Sequence, residues 1–458
     1  MSTSRSCGLR TGLAVVLTVP MSLAACGAEA TAPGSPPRLS AAAADPDCGT
    51  YSGQDCADPA ERIDLPLPVF SDPTRITNPR FPIAELHSAL LLGHVDGKPF
   101  RTETTLLPGT GTVVWKGQSV EVLVSQYVAF YGGRLQEVAI DRYAQADDGS
   151  VWYFGEDVFD YAEGTVDRTE GTWLAGREGP PAMIMPADPK VGDVYRPENV
   201  PGIVFEEVTV TSVAETVDGP LGPVPGAILV SELHADSSTE DKTFAPGYGE
   251  FVTSGGADLE ALAMAVPIDA VDAPAPPGLS TLSTGAQGVL EATRTGDWAA
   301  AAASLKRMTA AWQSLQTTDQ PRMVAERLEQ DLANLAGHVR AERTGKAAQR
   351  ALDVGQSALD LTLRYSAPDA VDLLRFELWT QQLRNHAAAG DAAAVSTDVA
   401  TLEWIRDRFT DAVDPLDLTD IDGRLRGLRS ASDTGNLPAA ADHAARLGMS
   451  LRALPASA

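Results

Sequence analysis

The period of the apolar positions changes along this chain, and each change marks a boundary. Leu13 to Val19 form a short continuous apolar run. Residues 28–44, AEATAPGSPPRLSAAAA, have no period and no aromatic residue, which suits a tether rather than a folded unit. Prolines at 59, 66, 68, 73 and 79 then exclude a long helix and disfavour central strands, so an irregular arm is expected as far as residue 79. Between residues 80 and 267 the period becomes two, with β-branched and aromatic residues separated by turn signals. Val120, Val122, Val124 and Tyr127-Val128 predict a strand, Gly132-Gly133 a turn, and Leu135 to Tyr143 the returning strand. Asp147-Asp148-Gly149 suits a hairpin, because Gly tolerates the positive φ such turns require. Val151 to Phe154, Val204 to Val213 and Ala227 to Leu233 read as further strands, with Ala162-Glu163-Gly164 as a turn. An antiparallel sheet, curled or folded into a sandwich, fits this spacing.

Residues 268–280 are a Pro-rich linker, and beyond it, over 281–455, the period is helical. Trp298, Ala301, Leu305, Met308, Trp312 and Leu315 step by three and four, as do Leu328, Leu332, Leu335 and Val339, and Val395, Val399, Leu402, Ile405 and Phe409. Each stripe must be buried on a neighbour. Gly296, Gly345, Gly390 and Gly435, spaced by 49, 45 and 45 residues, each precede an Ala-rich segment. A Gly that ends one helix and an Asp or Asn that caps the next imply a helical hairpin as the repeating unit. The expected architecture is α+β and multidomain: a β-rich domain followed by an all-α bundle of seven or eight helices rather than an open solenoid. Each side, at about 180 residues, is large enough for its own core, so the two are expected to fold separately.

The first apolar run acquires meaning from what flanks it. Arg5 and Arg10 precede it, and Leu23-Ala24-Ala25-Cys26 follows. This resembles the lipobox of bacterial lipoproteins, so residues 1–25 are expected to be an export signal. The run is too short to span a bilayer. The resemblance implies that Cys26 becomes a diacylated N-terminus, and two acyl chains give stable anchoring. The mature protein is then expected on the outer face of the bacterial cell membrane, with residues 26–79 as tether and arm. Cys7 leaves with the signal and Cys26 takes the lipid, which leaves Cys48 and Cys56 as a disulfide pair in an oxidising compartment. Four aspartates surround that pair, but their spacing fails an EF-hand.

The formal charge of −27, about −29 after the signal departs, repels polyanions and argues against nucleic acid as a partner. Gly-x-Ser-x-Gly, His-Glu-x-x-His, phosphate-loop and dinucleotide fingerprints are absent from the sequence. His87 and His94, if helical, would lie about 10 Å apart, too far to share an ion. With six histidines in the chain, neither a metal nor a cofactor is expected. Acid pairs stay open, since 62 Asp and Glu offer many combinations.

The succession YAQADDGSVWYFGED, EGTWLAG, MPADPKVGDVY and FAPGYGEF, within residues 101–252, resembles a family of uncharacterised exported bacterial proteins and lipoproteins. The resemblance implies a β-rich extracytoplasmic domain and brings no catalytic residues. This chain departs from the family after Phe81, where ELHSALLLGHVDG replaces an aromatic-rich strand, leaving the register of the first strand open. The motif residues read mainly as fold devices: glycines for turns and bulges, prolines for strand ends, Trp152 and Trp173 for core area. The candidate ligand patch is Trp152, Tyr153, Glu156, Asp157 and Asp160, carboxylates beside aromatic rings that could hold a cation or a sugar. No residue is assigned as catalytic. The leading expectation is a membrane-anchored lipoprotein that binds a protein or small-molecule partner, or scaffolds an assembly, without catalysis. The alternative is an extracytoplasmic hydrolase using carboxylates in a β-domain cleft. A deep pocket with two converging acids of unlike environment would favour the alternative.

Overall fold

A computed structural model describes residues 56–454. The expected signal and tether, with Cys26 and Cys48, lie outside the described residues; Cys56 is the first of these, partly buried against Phe205 and Leu233. The chain then forms fourteen strands and eight α-helices. The strands are β1 (Ser88–Val95), β2 (Lys98–Trp115), β3 (Gln118–Tyr131), β4 (Arg134–Gln145), β5 (Val151–Ala162), β6 (Thr165–Arg168), β7 (Trp173–Leu174), β8 (Ala182–Met185), β9 (Val194–Val200), β10 (Val204–Gly219), β11 (Gly222–His234), β12 (Thr239–Ala245), β13 (Gly249–Gly255) and β14 (Asp258–Val266).

All the strands belong to one antiparallel sheet, with β7 and β8 attached to β5. Hairpin neighbours run outwards from a central pair, β1 and β14, giving the order β6-β5-β4-β3-β2-β1-β14-β13-β12-β11-β10-β9. The sheet is curled. Its interior core joins Val120 and Val122 of β3 and Phe154 of β5 to Tyr195 of β9, Val208 of β10 and Ile228 of β11, strands that are distant in the sheet order. The predicted hairpins at Gly132-Gly133 and at Glu163-Gly164 are present, all four residues having positive φ. The segment ELHSALLLGHVDG contains β1, turned into β2 at Asp96-Gly97 and bonded on its other side to β14.

The Pro-rich arm lies across the curl. Ile76 and Ile83 enter the interior core, with Phe70 and Phe81 packed beside them. Asn78 ties the arm down by donating from Nδ2 to the carbonyls of Gly149 and Pro186, at 3.1 and 2.9 Å.

The helices are α1 (Pro277–Thr295), α2 (Trp298–Leu315), α3 (Arg322–Arg340), α4 (Thr344–Thr362), α5 (Pro368–Ala389), α6 (Ala392–Arg406), α7 (Pro415–Asp433) and α8 (Leu437–Ala453). They pack as four successive hairpins. Gly296 and Gly390 close α1 and α5 in the left-handed conformation, and Asp297 and Asp391 cap the helices that follow. Gly435 and Asn436 do the same between α7 and α8. Gly345 departs from the pattern: it lies in the first turn of α4, and Glu342 takes the left-handed position instead.

The helices cover the outer face of the sheet around β1 to β6 and β14. Leu90 and Leu92 of β1 and Ala263 of β14 share a core with α1 to α4, and Phe130 of β3 stacks on Trp379 of α5 at 5.5 Å. A buried ion network crosses the same boundary. Arg101 of β2 bonds Asp360 of α4 through both terminal nitrogens, at 2.8 Å each, and Glu103 at 2.7 Å. Arg375 of α5 reaches Asp360 at 2.8 Å, and Arg408 donates to Glu103 and Gln126 at 2.6 Å each. Burial opposes the ionisation of Glu103, but Arg101, Arg375 and Arg408 outweigh it and hold the carboxyl well below its ordinary range. The period change at residues 268–280 thus marks a change of element type, while the core and the ion network run through it. This continuity runs against the expectation that the two sides fold separately.

Candidate functional site

Where helices cover the outer face of the sheet, the inner face is left for a ligand, and here that face is polar. The curl encloses a cavity of about 200 Å³ lined by eight carboxyl groups and one lysine, Lys242. Strand alternation puts them there. On β4, Glu137, Ala139 and Asp141 face inwards while Val138 faces the helices. A bulge on β5 corrects the parity for Glu156: Asp141 pairs with Glu156 but Tyr143 pairs with Tyr153, so both β5 side chains reach the cavity. Gly155 permits the bulge, with φ +110° and no space for a Cβ, which would lie 2.2 Å from the Trp173 carbonyl oxygen.

The carboxyls are ill at ease as anions. Glu137, 6 % exposed, is pushed well above its ordinary value by burial and then by Asp160, its partner across the strand pair, and Asp141. Glu156 and Glu198, each 2 % exposed, are raised by burial; Asp141 adds to Glu156, and Glu156 itself to Glu198. Glu137 Oε1, Glu156 Oε1 and Glu198 Oε2 meet no hydrogen-bond donor. Elsewhere donors are supplied. Tyr153 donates to Asp141 at 2.7 Å, Trp173 Nε1 to Glu198 at 2.7 Å, and Thr102 to Glu260. Burial still raises Asp141 to about 6 and Glu260 to about 8.

At one end of the cavity the acids meet cations. Burial raises Glu232 to about 7 although Lys242 donates to it at 2.7 Å. Glu206 is lowered instead, since the facing His234 imidazole and the charge of Lys242 outweigh its burial. His234 is raised to about 10: burial lowers it, but Glu206 and Glu240 more than compensate.

Of the five patch residues proposed from sequence, Tyr153 and Glu156 line the cavity. Asp160 stands beside it, opposite Glu137 and 3.8 Å from Arg168. Trp152 is a core residue whose Nε1 donates to Ser150 Oγ at 2.8 Å. Asp157 points elsewhere and pairs with Arg142 at 2.5 Å. His87 and His94 do not form a pair: His94, on β1, bonds the Ala257 carbonyl through Nε2 at 3.0 Å. Glu137, Asp141, Glu198, Glu206, Glu232, His234, Glu240 and Glu260 were not singled out by sequence. Glu137 and Asp141, four apart on a strand-like segment, carry a signal that ordinarily marks a solvated face, and the other acids of this set stand one to a strand.

No family model matches the chain, and no curated protein matches it. Among the described residues no helix is long and apolar enough to cross a membrane.

Proposed function

We propose that this protein is an extracytoplasmic lipoprotein, held at the membrane through Cys26, whose curled sheet binds a small organic cation without transforming it. The observation that carries this reading is the set of buried interior carboxyl oxygens, on Glu137, Glu156 and Glu198, that meet no donor. Each costs about 1–3 kcal/mol or more in desolvation when left unpartnered, and their mutual repulsion adds to that. An ammonium or amidinium group would relieve both. The cavity, at about 200 Å³, is smaller than pockets for drug-sized molecules, so the ligand is small. Aromatic rings at Phe81, Tyr143 and Tyr153 would pack on its methylene groups or face its charge.

Calorimetric titration with a linear diamine tests the proposal. Saturable 1:1 binding is expected, tighter at pH 8 than at pH 5, because at the lower pH the raised carboxyls keep their protons. Glu198→Gln should weaken binding at least tenfold. The absence of saturable heat at millimolar diamine, or binding indifferent to Glu198→Gln, would refute it.

One observation favours a second reading, a carboxylate-dependent hydrolase. Glu198 and Glu206 approach within the same cavity with opposite shifts, one raised and the other lowered, an arrangement that suits a general acid beside an ionised base. Turnover of a glycoside or ester panel that is abolished by Glu198→Gln would establish it.

A further inference from the structure

The β10–β11–β12 end of the sheet brings one imidazole and three carboxylates together by register alone. Glu206 of β10 pairs with His234 of β11, and Glu232, two residues earlier on the same face, pairs with Glu240 of β12. His234 Nδ1 lies 3.6 Å from Glu206 Oε1, and its Nε2 lies 3.6 Å from both Glu232 Oε1 and Glu240 Oε2. These separations are too long for good hydrogen bonds. The ring is about nine-tenths buried, with 9 % of its side chain exposed, and Nε2 has no hydrogen-bond partner.

We propose that Glu206, Glu232 and His234 bind a divalent transition-metal ion, with zinc as the reference cation. One ligand atom from each already lies within 4.8 Å of the others. A tetrahedral ion with bonds of about 2.1 Å holds its ligand atoms about 3.4 Å apart, so side-chain movements on the order of 1 Å complete the site. Imidazole with carboxylate oxygens suits zinc and its neighbours in the first transition row. Lys242, bonded to Glu232 at 2.7 Å, orients this carboxylate as outer partners of metal ligands do. Glu240 is the nearby reserve ligand. Glu206 also lines the cavity, while His234 and Glu232 stand at its end, so variants of these two residues separate zinc binding from the organic-cation reading.

The test is calorimetric titration of the chelator-stripped full-length protein with Zn²⁺, alongside thermal melts. One ion per chain is expected, with micromolar or tighter affinity and a raised melting temperature. His234→Gln and Glu232→Gln should each weaken binding at least tenfold, while Glu121→Gln, exposed on β3, leaves it unchanged. If His234→Gln fails to fold, Glu232→Gln and Glu206→Gln decide. Absence of saturable zinc uptake, or equal uptake by wild type and the folded variants, overturns the proposal and leaves a structural ion cluster.

Discussion

Asp360 illustrates how much rests on single side chains at the boundary between sheet and helices. It is 1 % exposed and accepts from both Arg101 and Arg375. Replacing it with Ala removes the carboxylate shared by two buried guanidinium groups, and removing one partner of a buried ion pair costs about 3–5 kcal/mol. Urea denaturation of Asp360→Ala should show a loss of that size; a change under 1 kcal/mol would mean that water reaches the network. At this scale the sequence was partly legible. Trp152 could be read as core and Tyr153 with Glu156 as a patch, because aromatic rings and acids carry their own signals. The parity that turns Glu156 inwards depends on the bulge at Gly155, and a lone Gly in a strand does not say which way its neighbours will face.

Among elements, α1, α3 and α4 are the most instructive. Their stripes pack on one another and also on Leu90, Leu92 and Ala263 of the sheet. A fragment from residue 277 onward would expose those sites and leave Asp360 without Arg101 and Arg408 without Glu103. It is expected to give a weak, non-cooperative helical melt by circular dichroism; a sharp melt would show that the helical hairpins stand alone. The hairpins of the sheet and of the helical layer were legible because each is announced locally, by Gly132-Gly133, by Glu163-Gly164 or by Gly296-Asp297. The pairing of β1 with β14 was not, since partners so distant in sequence leave no local mark. Nor was the polarity of the inner face. Acids alternating on a strand suggest solvent, yet here helices claim the apolar outer face and the curl shuts the polar one in.

For the molecule as a whole, enclosed acids invert the ordinary dependence of stability on pH. Asp141, Glu232 and Glu260 reach about 6, 7 and 8 in the folded state, against lower values when unfolded. The folded protein therefore holds more protons than the unfolded chain between about pH 4 and 8, and stability falls as pH rises through that window. His234, raised to about 10, acts in the same direction above its ordinary value. Glu103 and Asp360 are lowered, so their contribution is already complete above about pH 5 and does not alter the trend. Melting temperature should be higher at pH 5 than at pH 8, and a diamine should narrow the difference. An equal or reversed order would mean that the interior carboxyls titrate normally.

The central position of the β1–β14 pair also governs the order in which the fold can form. The strands on either side of it are successive hairpins that can form soon after each is synthesised, but the two halves of the sheet are joined edge to edge only through Ser88–Val95 and Asp258–Val266. That seam has the greatest sequence separation of any pairing in the sheet, and the entropy of closing so long a loop must be met before its contacts contribute. An N-terminal segment ending short of β14 therefore carries a β1 with one open edge, a template for pairing with other chains. Closure of the seam is thus expected to be the slow step of folding, reached only after residue 266 has emerged.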